Sequence, residues 1–381
     1  MSANAGSIKA IGALVHQPAS QRLQFLDVMK GCIMLLLAAE ACQLYASFYN
    51  LPAKGWGLQL VQQFYHHPWH GLRFWDLVQP SFMLVAGAVL YISYAGKLRR
   101  GISWKDNLPH VVSRVLKLFF LGIIILSLQA GKLVWEYYNV LSQLAFTTIV
   151  TYLVIQRSVP FMLMVSLLLL GATEFCYRVF PLPGYADPFS QEQNFGLWLD
   201  TFIVGYKNPD GWVTFNCIPT AAHTIWGACA GKLFVSGSGK REKLQTLAGW
   251  AAIALFLGYV LDGSGLSPVI KRICTSSFIF VSCGWVLLIM AFVYWLTDVK
   301  AQNRYAWIFT LVGMNAIFIY LFFETVGHQW LNGAVAVFAG WPLDVFGVAP
   351  GVRAIVVAFA ALFAEWYLCY WLYRKKIFFK L

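Results

Sequence analysis

Apolar runs of about 20 residues recur along the whole chain, the length that carries an α-helix across about 30 Å of hydrocarbon. They predict helices at roughly 26–46, 76–96, 110–128, 139–156, 159–180, 217–235, 246–262, 273–296, 305–326 and 352–373. Polar residues gather in clusters between these runs. The alternating segments of about 10 residues that build a membrane β-barrel are absent from this pattern. The expected fold is an all-α polytopic membrane protein with about ten transmembrane helices. Residues 1–21 read as a cytosolic or interfacial tail, because their apolar stretch is too short and too broken for a signal peptide. Residues 22–381 then form one membrane domain.

Two connections are long. Residues 181–216 mix aromatics, amides and carboxylates, a composition suited to sugars, although aromatic residues also populate any membrane interface. Residues 327–351 are apolar but broken by Gly and Pro, and read as a re-entrant or interfacial segment. No strong internal repeat is visible.

Composition agrees with the pattern. Only 12% of the 381 residues are charged and 59% are hydrophobic, against roughly 25% charged in a soluble domain. The net charge of +12 reads as a topology signal, with no role for nucleic acid. Lys97, Arg99, Arg100, Lys105, Arg157, Lys240, Arg241, Lys243, Lys300, Arg304 and the ending "YRKKIFFKL" fall on one set of loops. The opposite set is poor in Lys and Arg over longer stretches. By the positive-inside rule both termini are expected in the cytoplasm. Eight cysteines without a CxxC pair read as small buried hydrophobes.

Charges inside or beside apolar runs are costly enough to be functional candidates. Asp27 and Lys30 open the first segment and could neutralise each other at i,i+3. Glu40 lies deeper, Asp76 begins the second segment, and Arg114 and Lys117 stand in the third. Glu324 closes the ninth segment and Glu365 sits within the tenth. The chemistry concentrates in "FYHHPWHGLRFWDLVQPSF" (64–82), where His66, His67 and His70 precede Asp76. Zinc is disfavoured: Pro68 interrupts the i,i+4 pair His66/His70, and no cysteine or third carboxylate completes a tetrahedron. No metal is expected. A histidine can take a proton near neutrality, and a carboxylate can fix its tautomer. A hydrated interfacial loop would also explain the cluster.

Several blocks resemble the heparan-α-glucosaminide N-acetyltransferase family. They are "RLQFLDVMKG" (22–31), "HHPWHGLRFWDLVQPSFMLVAG" (66–87), "RVLKLFFLGIII" (114–125), "PVIKRICTSSFIF" (268–280), "GMNAIFIYLFFE" (313–324) and "LYRKKIFFKL" (372–381). The resemblance implies a transmembrane acetyltransferase that carries acetyl from cytosolic acetyl-CoA to the amine of an amino sugar or glucosamine-terminated glycan across the membrane. It implies His66 as general base or acetyl acceptor, with Asp76, Asn315 and Glu324 as further catalytic candidates. Arg22, Asp27, Lys30, Arg114, Arg374, Lys375, Lys376 and Lys380 become candidates for holding acetyl-CoA. Trp69, Lys271 and Glu40 become candidates for the acceptor sugar. Membrane lipid surrounds the chain, the family can form homodimers, and a bacterial inner membrane is the expected location.

The chain departs from the family pattern at several positions. Lys30 replaces an arginine, and Ala41, flanked by Glu40, stands where the family has an asparagine. Ser142 and Gln143 replace "QR", Arg73 replaces a threonine, and Gln79 replaces a phenylalanine. The competing function is an amino-sugar permease without acetyl transfer. A neutral-sugar carrier has no need of the basic inner mouth, which favours the transferase.

Overall fold

A computed structural model of the chain describes residues 23–51, 55–135, 137–180 and 187–379. The expected N-terminal tail, Arg22 and Lys380 lie outside the described residues. Each of the ten predicted segments coincides with helix. These are α1 (Gln24–Ala41), α2 (Val78–Arg99), α3 (Trp104–Ala130), α4 (Val140–Val154), α5 (Val159–Val179), α6 (Cys217–Val235), α7 (Lys240–Gly263), α8 (Ser276–Tyr294), α9 (Ala306–Met314) and α10 (Pro350–Arg374). The described residues hold no β-strand, only an isolated antiparallel bridge between His70 and Ile270.

Among the described residues, six helices are long and apolar enough to cross a membrane, or seven if α9 and the bent continuation Ala316–Val345 count as one. The remaining three of the ten segments are α1, α4 and α6. Helix α1 carries Asp27, Lys30 and Glu40, α4 has only 15 residues, and α6 is almost wholly buried by its neighbours. A helix surrounded by protein tolerates more polar and charged side chains than one facing lipid.

The predicted ninth span is not straight. At Asn315 the chain bends by 76°. The segment beyond it, expected to be re-entrant or interfacial, stays helical as far as Val345, partly with wide π-type turns.

Small residues let the inner helices approach closely, as membrane helix pairs require. Helices α2 and α6 meet at Gly87 and Gly227: a Cβ on Gly87 would strike the Thr224 carbonyl, and one on Gly227 the Leu84 carbonyl. Helices α1 and α9 meet in the same manner at Gly31 and Gly313, against the carbonyls of Phe309 and Asp27. These two pairs fix α1, α2 and α9 around a common interior. One apolar core fills it, built on buried residues such as Phe25, Met34, Met83, Leu84, Phe278 and Phe323.

Candidate active site

The loop before α2 is locked to the segment before α8. Gly71 N–H donates to the Val269 carbonyl at 2.8 Å, beside the His70–Ile270 bridge. Gly71 has φ +141°, and a Cβ there would collide with the His67 ring, so the tight turn selects glycine. On the other side, Thr275 Oγ1 donates to the Pro268 carbonyl at 2.6 Å and accepts from Ile270 N–H at 3.0 Å. That closed turn presents Lys271 towards the histidine loop.

Asp76 is the hub. Its Oδ1 lies 2.9 Å from His66 Nδ1 and 3.6 Å from Lys271 Nζ. Its Oδ2 accepts the backbone N–H groups of His67 at 3.1 Å and Arg73 at 2.9 Å. The Asp76 side chain is only 1% exposed. A carboxylate bonded to Nδ1 fixes the tautomer with its proton there and leaves Nε2 as the free lone pair. Lys271 Nζ lies 3.1 Å from the same Nδ1. Burial and the Lys271 charge push the imidazole of His66 down to about 4, against the opposing pull of Asp76. Burial also lowers the Lys271 ammonium, with Asp76 opposing. His66 is therefore neutral at pH 7, the form that can accept a proton. Trp212 closes the group, edge-on to His66 at 5.4 Å and 5.6 Å from Lys271 Nζ.

His66 and Lys271 line a cavity of about 240 Å³, shared with Glu40, Gln79, Tyr138, Asn139 and Trp212. A second cavity of about 740 Å³ holds Asp27, Lys30, Arg114, Ser93 and Phe378. Phe82 and Tyr320 line both.

Five stretches of chain pass the two chambers in order. On α1 the basic chamber takes residues 27–30 and the histidine chamber 34–40. On α2 the order is reversed, 75–82 then 82–93. Helix α3 offers 114–118 and then 126, residues 138–140 precede 141–144 at α4, and 313–317 precede 320 after α9. The chambers are thus stacked along the bundle, and the chain direction alternates between α1, α2, α3 and α4. Asp27 and Phe378, near the two ends of the described chain, both face the basic chamber.

The basic chamber has the chemistry for an anion. Lys30 Nζ pairs with Asp27 at 2.7 Å, so the chamber keeps a net positive charge from Arg114. Arg114 Nε is buried with no hydrogen-bond partner among the described residues, a cost that a bound anion would relieve.

Of the residues singled out in the sequence, the structure gathers His66, Asp76, Lys271 and Glu40 at one chamber and Asp27, Lys30 and Arg114 at the other. The other described candidates line neither chamber. Trp69 donates to the Phe189 carbonyl at 2.8 Å and packs on a separate apolar cluster around Phe195 and Val213. The Asn315 amide is consumed by the C-terminal backbone, donating to Ile377 O and accepting from Phe379 N, both at 3.0 Å. Glu324 accepts from Gln129 at 2.7 Å and also hydrogen-bonds Tyr320, the residue shared by the two chambers, within electrostatic reach of Glu40. Arg374, Lys375 and Lys376 are exposed and line neither chamber, although their segment delivers Phe378 and Phe379 to the basic one. His70 pairs with Asp262 at 2.7 Å, which also caps Val269 N–H, and so serves the loop junction.

Other residues lining the chambers had not been singled out as site candidates: Phe82, Tyr320 and Trp212; nor had the buried amides Gln143 and Asn216, which hydrogen-bond in series behind the lining residue Gln79. Gln79 and Gln143, two positions where the chain departs from the family it resembles, hydrogen-bond directly to each other.

Comparison with known proteins identifies the family. A family model described as heparan-alpha-glucosaminide N-acetyltransferase, catalytic, matches residues 22–260. The human protein named heparan-alpha-glucosaminide N-acetyltransferase is 25% identical over 94% of this chain and 60% of its own length. The mouse protein of the same name is 24% identical over 96% of this chain and 61% of its own length. The chain thus spans about three fifths of the curated relatives it matches. The family match covers well over half of the chain, including His66 and Asp76, and the chain belongs to that family.

Proposed function

We propose that this member of the heparan-alpha-glucosaminide N-acetyltransferase catalytic family moves acetyl from acetyl-CoA, received at the basic chamber, to the amine of a glucosamine-type sugar at the histidine chamber. The observation that carries the reading is the stacking of the chambers, joined at Phe82 and Tyr320, with His66 in one and Arg114 in the other. The relatives' name supports an N-acetyltransferase of glucosamine.

In this reading Arg114 and Lys30 face the donor's phosphates from the cytoplasmic side of a bacterial inner membrane. The thin acyl-bearing arm runs past Phe82 and Tyr320. Glu40, exposed to the histidine chamber, attracts the sugar's ammonium. Once the ammonium has given one proton to water, the neutral amine nitrogen attacks the thioester carbonyl, forming an N–C bond and a charged oxygen that the Lys271 ammonium faces. His66 Nε2 takes the proton from nitrogen. The ammonium of such an adduct is far more acidic than the sugar's own ammonium, so a weakly basic imidazole suffices. Collapse breaks the C–S bond, and the departing thiolate recovers the proton.

The test is His66→Ala in purified protein. Transfer to glucosamine is lost while CoA still binds and the protein unfolds at the same temperature. Full activity in that variant overturns the assignment.

A further inference from the structure

Three buried amides run in series behind the histidine chamber. Gln79 donates to Gln143 Oε1. Gln143 Nε2 donates to Asn216 Oδ1 at 2.5 Å. Asn216 Nδ2 donates to the Arg272 carbonyl at 3.2 Å. Gln143 and Asn216 are fully buried and Gln79 is 8% exposed. Amides in such positions cost stability unless each is paired.

The direction of the chain is set at its far end. A backbone carbonyl only accepts, so Asn216 must present its NH2 to Arg272, and its oxygen is left for Gln143. The same logic turns Gln143 and then Gln79. The acceptor left over is Gln79 Oε1, to which no described residue donates, and Gln79 is the member of the series that lines the chamber. Hydrogen bonds in series polarise one another, which makes that terminal oxygen a better acceptor than a lone glutamine.

Its location says what it accepts from. Gln79 stands on α2 between Asp76, which holds His66, and Phe82, which borders both chambers. Each lies three positions away, about 4.5 Å along a helix. A donor arm that threads past Phe82 and brings its thioester to His66 passes Gln79 just before it arrives. The group at that point in acetyl-CoA is the secondary amide two methylenes from sulfur, which carries one N–H.

We infer that Gln79 Oε1, oriented by Gln143 and Asn216, accepts the N–H of the cysteamine amide of the acyl donor and so fixes the height of the thioester against His66. This rests on the proposed acetyl transfer. Gln79 is thereby a donor-recognition residue, and Gln143 is a positioning residue acting through it.

The experiment uses the full chain in nanodiscs and calorimetric binding of two probes: CoA, and a CoA analogue with an ester oxygen in place of that N–H. The wild type is expected to prefer CoA by about tenfold, the worth of one hydrogen bond. In Gln79→Met the preference falls to near unity because CoA itself binds more weakly. In Gln143→Leu it falls part of the way. Should Gln79→Met fail to fold, Gln79→Asn withdraws the oxygen by one methylene and gives the same loss. An undiminished preference in the folded variants overturns the inference and leaves the acetyl-transfer reading standing. Failure of the wild type to bind CoA overturns both. Weaker sugar binding with an unchanged probe ratio also overturns it, by assigning Gln79 to the acceptor.

Discussion

Phe82 of α2 and Tyr320 beyond the Asn315 bend each line both chambers, so the two side chains form the boundary between the basic cavity and the histidine cavity. Anything that reaches His66 from the basic side passes them. Phe82→Trp, which adds bulk at this boundary, is expected to slow acetyl transfer by about 100-fold, the cost of displacing a reacting group by about 1 Å. CoA binding changes by less than about tenfold, because Arg114 and Lys30 are untouched. Steady-state acetylation together with calorimetry checks both halves.

Asp76→Asn keeps the shape of the hub and removes the charge that holds the Nδ1 proton of His66. The expected loss is about 10²–10⁴-fold in kcat with little change in donor binding. Asp76→Ala does more, because the backbone N–H groups of His67 and Arg73 lose their acceptor. About 1–3 kcal/mol of stability goes with each such group left buried and unpaired. Denaturant unfolding separates the two variants.

Protonation of His66 carries a sign that can be checked directly. Burial and Lys271 lower its pKa to about 4, below the ordinary 6.5. The neutral imidazole therefore persists as pH falls through 6.5 and is lost only towards pH 4. Lys271→Met removes a positive neighbour and moves the midpoint up towards the ordinary value. Carbethoxylation of the His66 peptide, followed by mass spectrometry against pH, reports the neutral fraction. A midpoint near 6.5 in both proteins would contradict the geometry.

The α2–α6 contact carries the site as well as the fold, since α2 and the turn before it hold Asp76, Gln79 and Phe82. Gly227→Ala forces a methyl group against the Leu84 carbonyl. The expected cost is about 1–3 kcal/mol, read as a lower unfolding temperature, with transfer falling in parallel as the helices part.

Much of this was legible in the sequence for a simple reason. Spans are written in hydropathy, and a charge placed in lipid is expensive, so Asp27, Lys30, Glu40, Asp76 and Arg114 stood out. Asn315 and Trp69 stood out through the family resemblance, and the fold spends them on anchoring the C-terminal segment and the connection around Phe189. Gln79, Gln143 and Asn216 were harder to rank, because neutral amides inside apolar runs cost less than charges and a single sequence does not reveal their pairing. A search for buried amides in the spans would have found the first two. The joining of the chambers at Phe82 and Tyr320 was not legible at all, since an aromatic residue in a span reads as ordinary core until its neighbours are known.

The most direct measurement reconstitutes the protein in vesicles loaded with acetyl-labelled CoA, with glucosamine supplied only outside. Labelled N-acetylglucosamine should accumulate outside in step with free CoA inside, and His66→Ala should abolish both. Entry of unmodified glucosamine without labelled product, or transfer only when both substrates share one side, would contradict the account.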